Sequence, residues 1–213
     1  PTPKGILLYG PPGTGKTLIA RKLAKQAGCN FEAVNISDLK AQYIGQTGPK
    51  VKELWQRCRE KAPTILFVDE CESAFAKRGG TDNDSFGNEL VQTFISEWDG
   101  FNQAAGQVLV IGATNRRDIL DTAVVSRFTA TIEIGLPNEK AREKILKNEF
   151  RIAGLDLDVS QKLVSETAGM SGRDIHTLLA TVTAENYGGN ISEDAILKQI
   201  YQVRGKGSTQ VKS

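Results

Sequence analysis

The sequence predicts an α/β fold with a parallel sheet, followed by a smaller helical domain. Short runs rich in β-branched residues alternate with segments in which apolar residues recur at helical spacing, which is typical of βαβ units. After Pro137 the strand signals stop and only helical patterns follow. The 213 residues, 39% of them hydrophobic and 24% charged, are enough to bury a core in one compact unit or two small ones.

The elements follow from these patterns in chain order. We expect apolar stripes of two helices to face the core, one through Val51, Leu54, Trp55 and Cys58, and one through Leu90, Val91, Phe94, Ile95 and Trp98. The predicted strands are 5–9, 31–35, 64–69, 108–114 and 129–134, and the later helices are about 139–151, 160–167, 172–187 and 192–202. The predicted organisation is therefore an α/β domain over 1–137 with a truncated N-terminal edge, a helical domain over 138–203, and a flexible tail over 204–213.

Charge and cysteine content exclude several classes of protein. The 27 basic and 25 acidic side chains give a formal charge of +2, so no overall field would gather nucleic acid or an anionic membrane. The longest apolar runs are far shorter than the roughly 20 residues that cross a bilayer, and we expect no transmembrane segment. The 3 cysteines form no CxxC pair, which favours reduced thiols and a cytoplasmic or other reducing compartment.

The stretch GPPGTGKT, residues 10–17, matches the phosphate-loop pattern between a predicted strand and a predicted helix. Glycines allow successive backbone N–H groups to point at phosphate oxygens, and the helix start adds its positive dipole end. Lys16 is expected to contact the β and γ phosphates, and Thr17 to bind Mg²⁺ through its hydroxyl. The residues predicted to bind ATP or ADP here are Gly10, Pro11, Pro12, Gly13, Thr14, Gly15, Lys16, Thr17 and Leu18.

A pair of acids at the end of the third predicted strand supplies the groups that hydrolysis needs. In open α/β folds ligands bind at the carboxyl edge of the sheet, where Asp69 and Glu70 are expected. Asp69 would orient the Mg²⁺ ligands and Glu70 would accept a proton from the attacking water. We interpret Glu72 as a local hydrogen-bonding or helix-start acid.

Taken in order, these motifs resemble the AAA family of ATPases, within the AAA+ superfamily. The resemblance covers essentially the whole chain and implies a parallel sheet of order 5-1-4-3-2, a helical lid, and a homo-oligomeric ring, usually a hexamer, with ATP at each junction. The stretches that carry it are PKGILLYGPPGTGKT, YIG, ILFVDE, EWDG, GATNRRDILD, SRF, IGLPNEKAREKIL and GMSGRDI.

The resemblance also implies roles for residues outside the phosphate loop. Asn115 matches the polar sensor that would place water beside Glu70, and Arg127 matches the arginine finger that completes a neighbour's site. The finger stretch VVSRFT is 2 residues shorter than the family's usual LLRPGRFD, so one of two expected arginines is missing. Asp99-Gly100-Phe101 resembles a segment that passes nucleotide state between neighbours.

The helical domain contains two further residues whose possible roles we compare. Arg173, after Gly172 in SGRD, stands where more distant relatives have an arginine that touches the γ-phosphate. It is either such a second sensor or part of a surface ion pair. His176 is expected to be a helix-face residue rather than a ligand.

The triplet Tyr43-Ile44-Gly45 is an apolar pair in a stretch that otherwise has loop composition. An isolated pair of this kind usually packs into a core, but the family resemblance places it in the loop that projects into the pore of the ring. There Tyr43 would contact an extended polypeptide and Gly45 would let the loop move. Residues 78–88 are expected to form a second pore loop.

These inferences predict a Mg²⁺-dependent ATPase ring that remodels, unfolds or disassembles proteins by threading them past Tyr43. The alternatives are a motor or clamp loader that acts on nucleic acid, which predicts basic residues on the loop, and a nucleotide-gated scaffold with little turnover. The chain contains no HExxH, so any protease activity would lie outside these residues.

Overall fold

The computed structural model describes residues 5–35, 47–75, 85–100, 108–187 and 189–209. Contacts divide the chain into two units. The first contains Pro1–Gly10 and Lys16–Ile134, and the second contains Pro11–Gly15 and Gly135–Ser213. The predicted boundaries at 137 and 203 remain predictions of domain organisation.

The first unit is built on a five-stranded parallel sheet of order β2-β3-β4-β1-β5. This is the expected order 5-1-4-3-2 named from the other edge, and it confirms the predicted α/β class with a five-stranded parallel sheet. The strands are β1 (Gly5–Tyr9), β2 (Asn30–Asn35), β3 (Thr64–Asp69), β4 (Val108–Thr114) and β5 (Ala130–Glu133).

Strand composition explains which strands lie inside the sheet. β3 and β4 are apolar on both faces and almost wholly buried, as expected for inner strands of a parallel sheet. β5 lies at one edge, and all four of its residues are exposed. In the register of the sheet Asn35 pairs with Asp69, and Tyr9 pairs with Thr114. Three loops that follow β1, β3 and β4 therefore begin at the same carboxyl edge.

Helices of the first unit bury an aromatic cluster against the sheet. Phe94 packs edge-on against Trp55 and Trp98, with ring centroids 5.4 Å and 6.1 Å away, and Trp98 packs against Phe128 at 5.1 Å. These contacts confirm both predicted apolar stripes. The helices are α1 (Lys16–Gln26), α2 (Thr47–Glu60), α3 (Glu72–Phe75), α4 (Ser85–Gly100) and α5 (Thr122–Val125), with a 3₁₀ turn at Arg117–Ile119.

The start of α4 corrects one sequence-based expectation. Residues 85–88, expected at the end of a pore loop, belong to this helix. Leu90, Phe94 and Trp98 are buried at i, i+4 spacing, and their packing stabilises the helix despite its polar, glycine-containing first turn. The remainder of the expected loop, 78–84, lies outside the described residues.

The second unit contains α6 (Glu139–Ala153), α7 (Gln161–Glu166), α8 (Gly172–Glu185) and α9 (Glu193–Thr209) around its own core. α9 continues to Thr209, beyond the expected helix end near 202 and into the segment expected to be a tail. Arg204 explains part of this extension, because it donates to the Glu166 carboxylate and to the Glu166 carbonyl at 2.9 Å and 2.7 Å. No described helix combines the length and apolar character needed to span a membrane.

All three cysteines are free, as the absence of a CxxC pair suggested. Cys58 and Cys71 are buried, and Cys29 is partly exposed. Burial raises the pKa of the Cys58 thiol to about 11, and the pKa of Cys71 is raised for the same reason. Both buried thiols therefore stay protonated near neutral pH and resist oxidation.

Candidate nucleotide-binding site

The phosphate loop leaves β1 through backbone conformations that favour glycine. Gly10, Gly13 and Gly15 all have positive φ, at 143°, 75° and 91°. A Cβ atom on Gly10 would lie 2.2 Å from the carbonyl oxygen of Ile134, at the end of β5. The close approach of these two chain segments therefore requires glycine at the first position of the motif.

Lys16, the first residue of α1, is nearly buried, with 8% of its surface exposed. Its Nζ donates to the carbonyl oxygen of Gly10 and to Oδ1 of Asn115, both at 2.9 Å. Both acceptors are neutral dipoles, and an anionic phosphate oxygen would attract the ammonium charge more strongly than either of them. The ammonium group is thus held where a phosphate oxygen could replace either acceptor.

Thr17, in α1, and Asp69, at the end of β3, are hydrogen-bonded to each other. Thr17 Oγ1 donates to Asp69 Oδ2 at 3.2 Å, and the other Asp69 oxygen accepts from the backbone N–H of Glu70 at 3.0 Å. A hydroxyl and a carboxylate are hard oxygen donors of the kind that Mg²⁺ takes in nucleotide sites, where phosphates and water complete its coordination. The chemistry of this donor pair fits the predicted metal role.

Glu70 directly follows β3 in the left-handed region, with φ of 47°. Among the described residues no other non-glycine residue has a positive φ. Such a conformation costs about 1–2 kcal/mol and is a local strain that often marks functional positions. The exposed Glu70 carboxylate accepts from Asn35 Nδ2 at 3.4 Å.

Asn35 was not among the predicted site residues, although its position at the end of a strand could have indicated a site residue. It ends β2 opposite Asp69 in the parallel register, and so it reaches the same sheet edge as the two acids. A polar residue that closes a strand beside this edge is a candidate site residue once the strand order is known.

Asn115 is held through both its side chain and its backbone. Its Oδ1 accepts from Lys16, and its N–H donates to Glu72 Oε1 at 3.4 Å. Glu72 is the first residue of α3, which agrees with its interpretation as a helix-start acid, but its contact with the residue that follows β4 was not expected. The structure thus brings Lys16, Asn115 and Glu72 into one chain of contacts.

Arg127 forms its contacts within its own chain. Its Nη2 and Nε donate to the two carboxylate oxygens of Asp99 at 2.8 Å and 3.3 Å, and its Nη1 donates to the carbonyl oxygen of Ala123 at 2.6 Å. The ion pair is partly exposed, with 28% of the Arg127 side chain accessible. The predicted finger and the first residue of the predicted signalling segment are therefore directly paired.

Two arginines that follow Asn115 were also outside the sequence-based prediction. Arg116 forms two hydrogen bonds with the carboxylate of Asp118, at 2.9 Å and 2.8 Å, and this contact raises its pKa. The guanidinium of Arg117 lies 4.8 Å from the ring centroid of Tyr9, the last residue of β1. Both cations lie at the sheet edge where the site begins.

Within the second unit, loop residue Gly13 contacts the start of α8. The backbone N–H of Arg173 donates to the Gly13 carbonyl at 3.2 Å. Ser171 caps α8 and forms a capping box with Asp174, which fixes Gly172 in the first turn. A Cβ atom on Gly13 would lie 2.6 Å from Ser171 Oγ and 2.8 Å from Arg173 Cβ.

The remaining predicted residues are exposed on helices or lie outside the described residues. Leu18 is exposed on α1, and the Arg173 side chain is exposed on α8. His176 lies on the same helix with Nδ1 2.8 Å from Glu149 Oε2, as expected for a helix-face residue. The triplet 43–45 and Phe101 lie outside the described residues.

Comparisons with known proteins agree with this geometry. The family model described as "ATPase family associated with various cellular activities (AAA)" matches residues 6–136. ATP-dependent zinc metalloprotease FtsH 2 of Thermoanaerobacter sp. is 44% identical over 173 residues, which is 80% of this chain and 34% of that protein. Proteasome-activating nucleotidase of Methanocaldococcus jannaschii is 43% identical over 183 residues, which is 83% of this chain and 42% of that protein.

A solved structure supports the same assignment. The crystal structure of the FIGL-1 AAA domain in complex with ADP superposes with a TM-score of 0.77 at 30% identity, covering 94% of this chain and 70% of the other. The chain spans 34% and 42% of the two relatives' lengths, so it corresponds to one part of each. With a matching family model over most of its length, a matching fold and the phosphate-loop geometry, the chain belongs to the AAA family of ATPases.

Proposed function

We propose that this chain binds and hydrolyses ATP as the motor part of a ring that unfolds or remodels proteins. The observation that carries the proposal is the cluster at the carboxyl edge of the sheet. There Lys16 contacts Asn115, and Thr17 contacts Asp69, directly before the strained Glu70. A cation, a hydroxyl and two carboxylates are the groups that phosphoryl transfer to water requires.

Each side chain has a distinct part in this mechanism. Lys16 exchanges its neutral acceptors for phosphate oxygens and binds the nucleotide. Thr17 and Asp69 would hold Mg²⁺, which would neutralise charge on the phosphates. Glu70 accepts a proton from the attacking water, while Asn115 orients that water. Gly172 and Arg173 belong to the nucleotide site as well, and Arg173 is proposed as the second sensor.

The names of two relatives support a protein substrate. One is an ATP-dependent metalloprotease and the other is a nucleotidase that activates the proteasome, so both names link nucleotide use to protein breakdown. We infer that this chain supplies the mechanical step of a similar process. Its 3 free cysteines suit a reducing compartment, which we propose as its location.

In the proposed motor, subunits assemble into a ring and a loop of each subunit lines its pore. A homo-oligomeric ring, in the form of a hexamer, would bring Arg127 of one subunit to the nucleotide of the next. Tyr43, Ile44 and Gly45 would line the central pore. The aromatic ring of Tyr43 would supply a sequence-tolerant contact to an extended polypeptide, worth about 1 kcal/mol.

The first experiment tests nucleotide chemistry. Lys16→Ala should abolish ATP binding and hydrolysis, because it removes the cation that meets the phosphates. The control is Lys22→Ala, an exposed lysine on the same helix, which should bind ATP normally. Titration with a fluorescent ATP analogue and timed release of phosphate measure both steps. Full binding by Lys16→Ala would contradict the assigned site.

The second experiment tests threading. Tyr43→Ala should keep basal ATP hydrolysis within a few-fold of normal and stop unfolding of a fluorescent model substrate, while Tyr43→Phe keeps both activities. If Tyr43 is instead a buried core residue, truncation should cost about 3–5 kcal/mol and lower the melting temperature. Loss of stability in place of loss of unfolding would contradict the pore-loop role.

The same assays separate the alternatives. A nucleotide-gated scaffold would bind ATP without measurable phosphate release. A motor that acts on nucleic acid would be stimulated by single-stranded DNA or RNA in a salt-dependent way, and not by an unfolded protein. We expect stimulation by the unfolded protein.

A further inference from the structure

Glu72 carries a buried polar group that the proposed mechanism does not use. Its Oε1 accepts from the backbone N–H of Asn115, while its Oε2 is buried and has no hydrogen-bond partner among the described residues. An unpaired buried carboxylate oxygen destabilises a fold, and an apolar group of the same shape is often tolerated as well or better. Apart from its place at the start of the short helix α3, stability therefore gives little reason for glutamate at this position.

The position of Glu72 joins two segments of the site. The backbone N–H of the preceding residue, Cys71, donates to the Ala113 carbonyl at 3.0 Å, which ties the segment after β3 to the end of β4. Glu72, one residue after Cys71, reaches past the end of β4 and accepts from the N–H of Asn115, two residues after Ala113. The acid thus fixes the backbone at the point where the chain leaves the strand.

Nucleotide binding would change which hydrogen bonds keep Asn115 in place. In this structure its side chain is held by Lys16 at 2.9 Å. When Lys16 turns to phosphate, this hydrogen bond is lost, while the bond from the Asn115 N–H to Glu72 can remain. Asn115 must then keep its direction through its backbone, and an error of about 1 Å in such a group can cost roughly 10²-fold in rate.

We propose that Glu72 is a positioning residue for ATP hydrolysis, which holds the backbone of Asn115 after Lys16 has exchanged the Asn115 side chain for phosphate. This inference rests on the proposed function and concerns the same site. Glu72 does not touch the reacting atoms in this role. It acts through Asn115 and affects turnover more than binding.

Three variants measured in the assembled protein test the role. Glu72→Met keeps the length of the side chain and removes the acceptor, and it should lower kcat for ATP about 10-fold with KM within twofold. Glu72→Gln keeps an acceptor for the Asn115 N–H and should stay within about threefold of the normal kcat. Glu60→Met, at an exposed glutamate that ends α2, is the control and should leave kcat unchanged.

A stability measurement distinguishes positioning from a structural role. Because the buried Oε2 has no hydrogen-bond partner in the described part of the chain, Glu72→Met should melt within about 3 °C of the unchanged protein, or above it. A structural role would instead lower the melting temperature of Glu72→Met in step with kcat, without rescue by Glu72→Gln, and that result would overturn the proposal.

A double substitution tests whether Glu72 acts through Asn115. Asn115→Ala combined with Glu72→Met should be no slower than Asn115→Ala alone, because the group that Glu72 positions is already gone. Full additivity of the two losses would overturn the proposal. A normal kcat for Glu72→Met in an active protein would overturn only this role, whereas ATP binding without any turnover by the unchanged protein would overturn the proposed function and this role with it.

Discussion

The first unit holds two cations of the predicted site in different ways: Lys16, predicted to bind nucleotide, and Arg127, predicted to be the arginine finger. Lys16 is nearly buried and donates to neutral oxygens of Gly10 and Asn115. Arg127 is partly exposed and forms a two-bond ion pair with Asp99. Lys16 is therefore enclosed at the carboxyl edge of the sheet, whereas Arg127 lies in a partly exposed ion pair.

The difference indicates which contacts would have to break if a nucleotide bound Lys16 or if Arg127 moved towards a neighbouring subunit. Partly exposed ion pairs contribute about 0–1 kcal/mol, so the pair with Asp99 is a small obstacle to movement of Arg127. The contacts of Lys16 are determined by strand ends whose register the sheet fixes. We expect changes at the strand ends to have large effects and changes around the Arg127 pair to have small ones, unless Arg127 itself is removed.

The largest effect is expected at Glu70. Glu70→Gln should keep ATP affinity within a few-fold and lower the rate of hydrolysis by about 10²- to 10⁴-fold, the usual contribution of a general base. Lys16 and Asp69 are unchanged in this variant, so binding is the internal control. Isothermal titration and phosphate release measure the two quantities. Near-normal turnover would remove Glu70 from its proposed role.

Mixing two inactive variants tests whether Arg127 serves a neighbour. Pure rings of Arg127→Ala and of Glu70→Gln should both be inactive. After subunit exchange at equal amounts, about a quarter of junctions pair an intact Glu70 with an intact Arg127 from the next subunit. Hydrolysis should return to a sizeable fraction of normal if each junction works independently, and to less if turnover is coupled around the ring. Sedimentation confirms that rings form. Mixed rings without activity would mean that Arg127 acts within its own subunit or lies out of reach.

A smaller effect on stability is expected at Gly13. An alanine there would adopt positive φ, at a cost of about 1–2 kcal/mol, and its Cβ would clash with Ser171 and Arg173, at a further cost of about 1–3 kcal/mol. Gly28→Ala is a matched control, because Gly28 has φ of 65° and open space around it. Thermal unfolding should show the larger loss at Gly13, and equal losses would mean that the contact with α8 contributes nothing.

The smallest effect is expected for the Asp99–Arg127 pair. A double-mutant cycle with Asp99→Ala and Arg127→Ala should give a coupling energy of about 0–1 kcal/mol that decreases in high salt, as for other partly exposed pairs. Chemical denaturation of the four proteins measures it. A coupling energy well above this range would mean that Arg127 is held firmly by its own chain, and the contrast with Lys16 would be lost.

Much of the fold was predictable because its signals are local. The buried strand TILFVD and the stripe through Leu90, Phe94 and Trp98 were recognisable from apolar periodicity, and the structure confirms both. The start of α4 at Ser85 and the extension of α9 to Thr209 were not predicted. Polar, glycine-containing stretches have weak helical signals of their own, and long-range contacts such as Arg204 with Glu166 decide where such helices end.

For the candidate site, the sequence by itself determined which chemistry is present and roughly where. The phosphate-loop pattern and the acids that end a buried strand identify their groups by residue type and spacing. Only the tertiary structure decided which of these groups meet, because contacts between residues far apart in sequence depend on strand order and register. No local pattern encodes such contacts. They include the hydrogen bond of Asn35 to Glu70, that of the Asn115 N–H to Glu72, and the ion pair of Arg127 with Asp99.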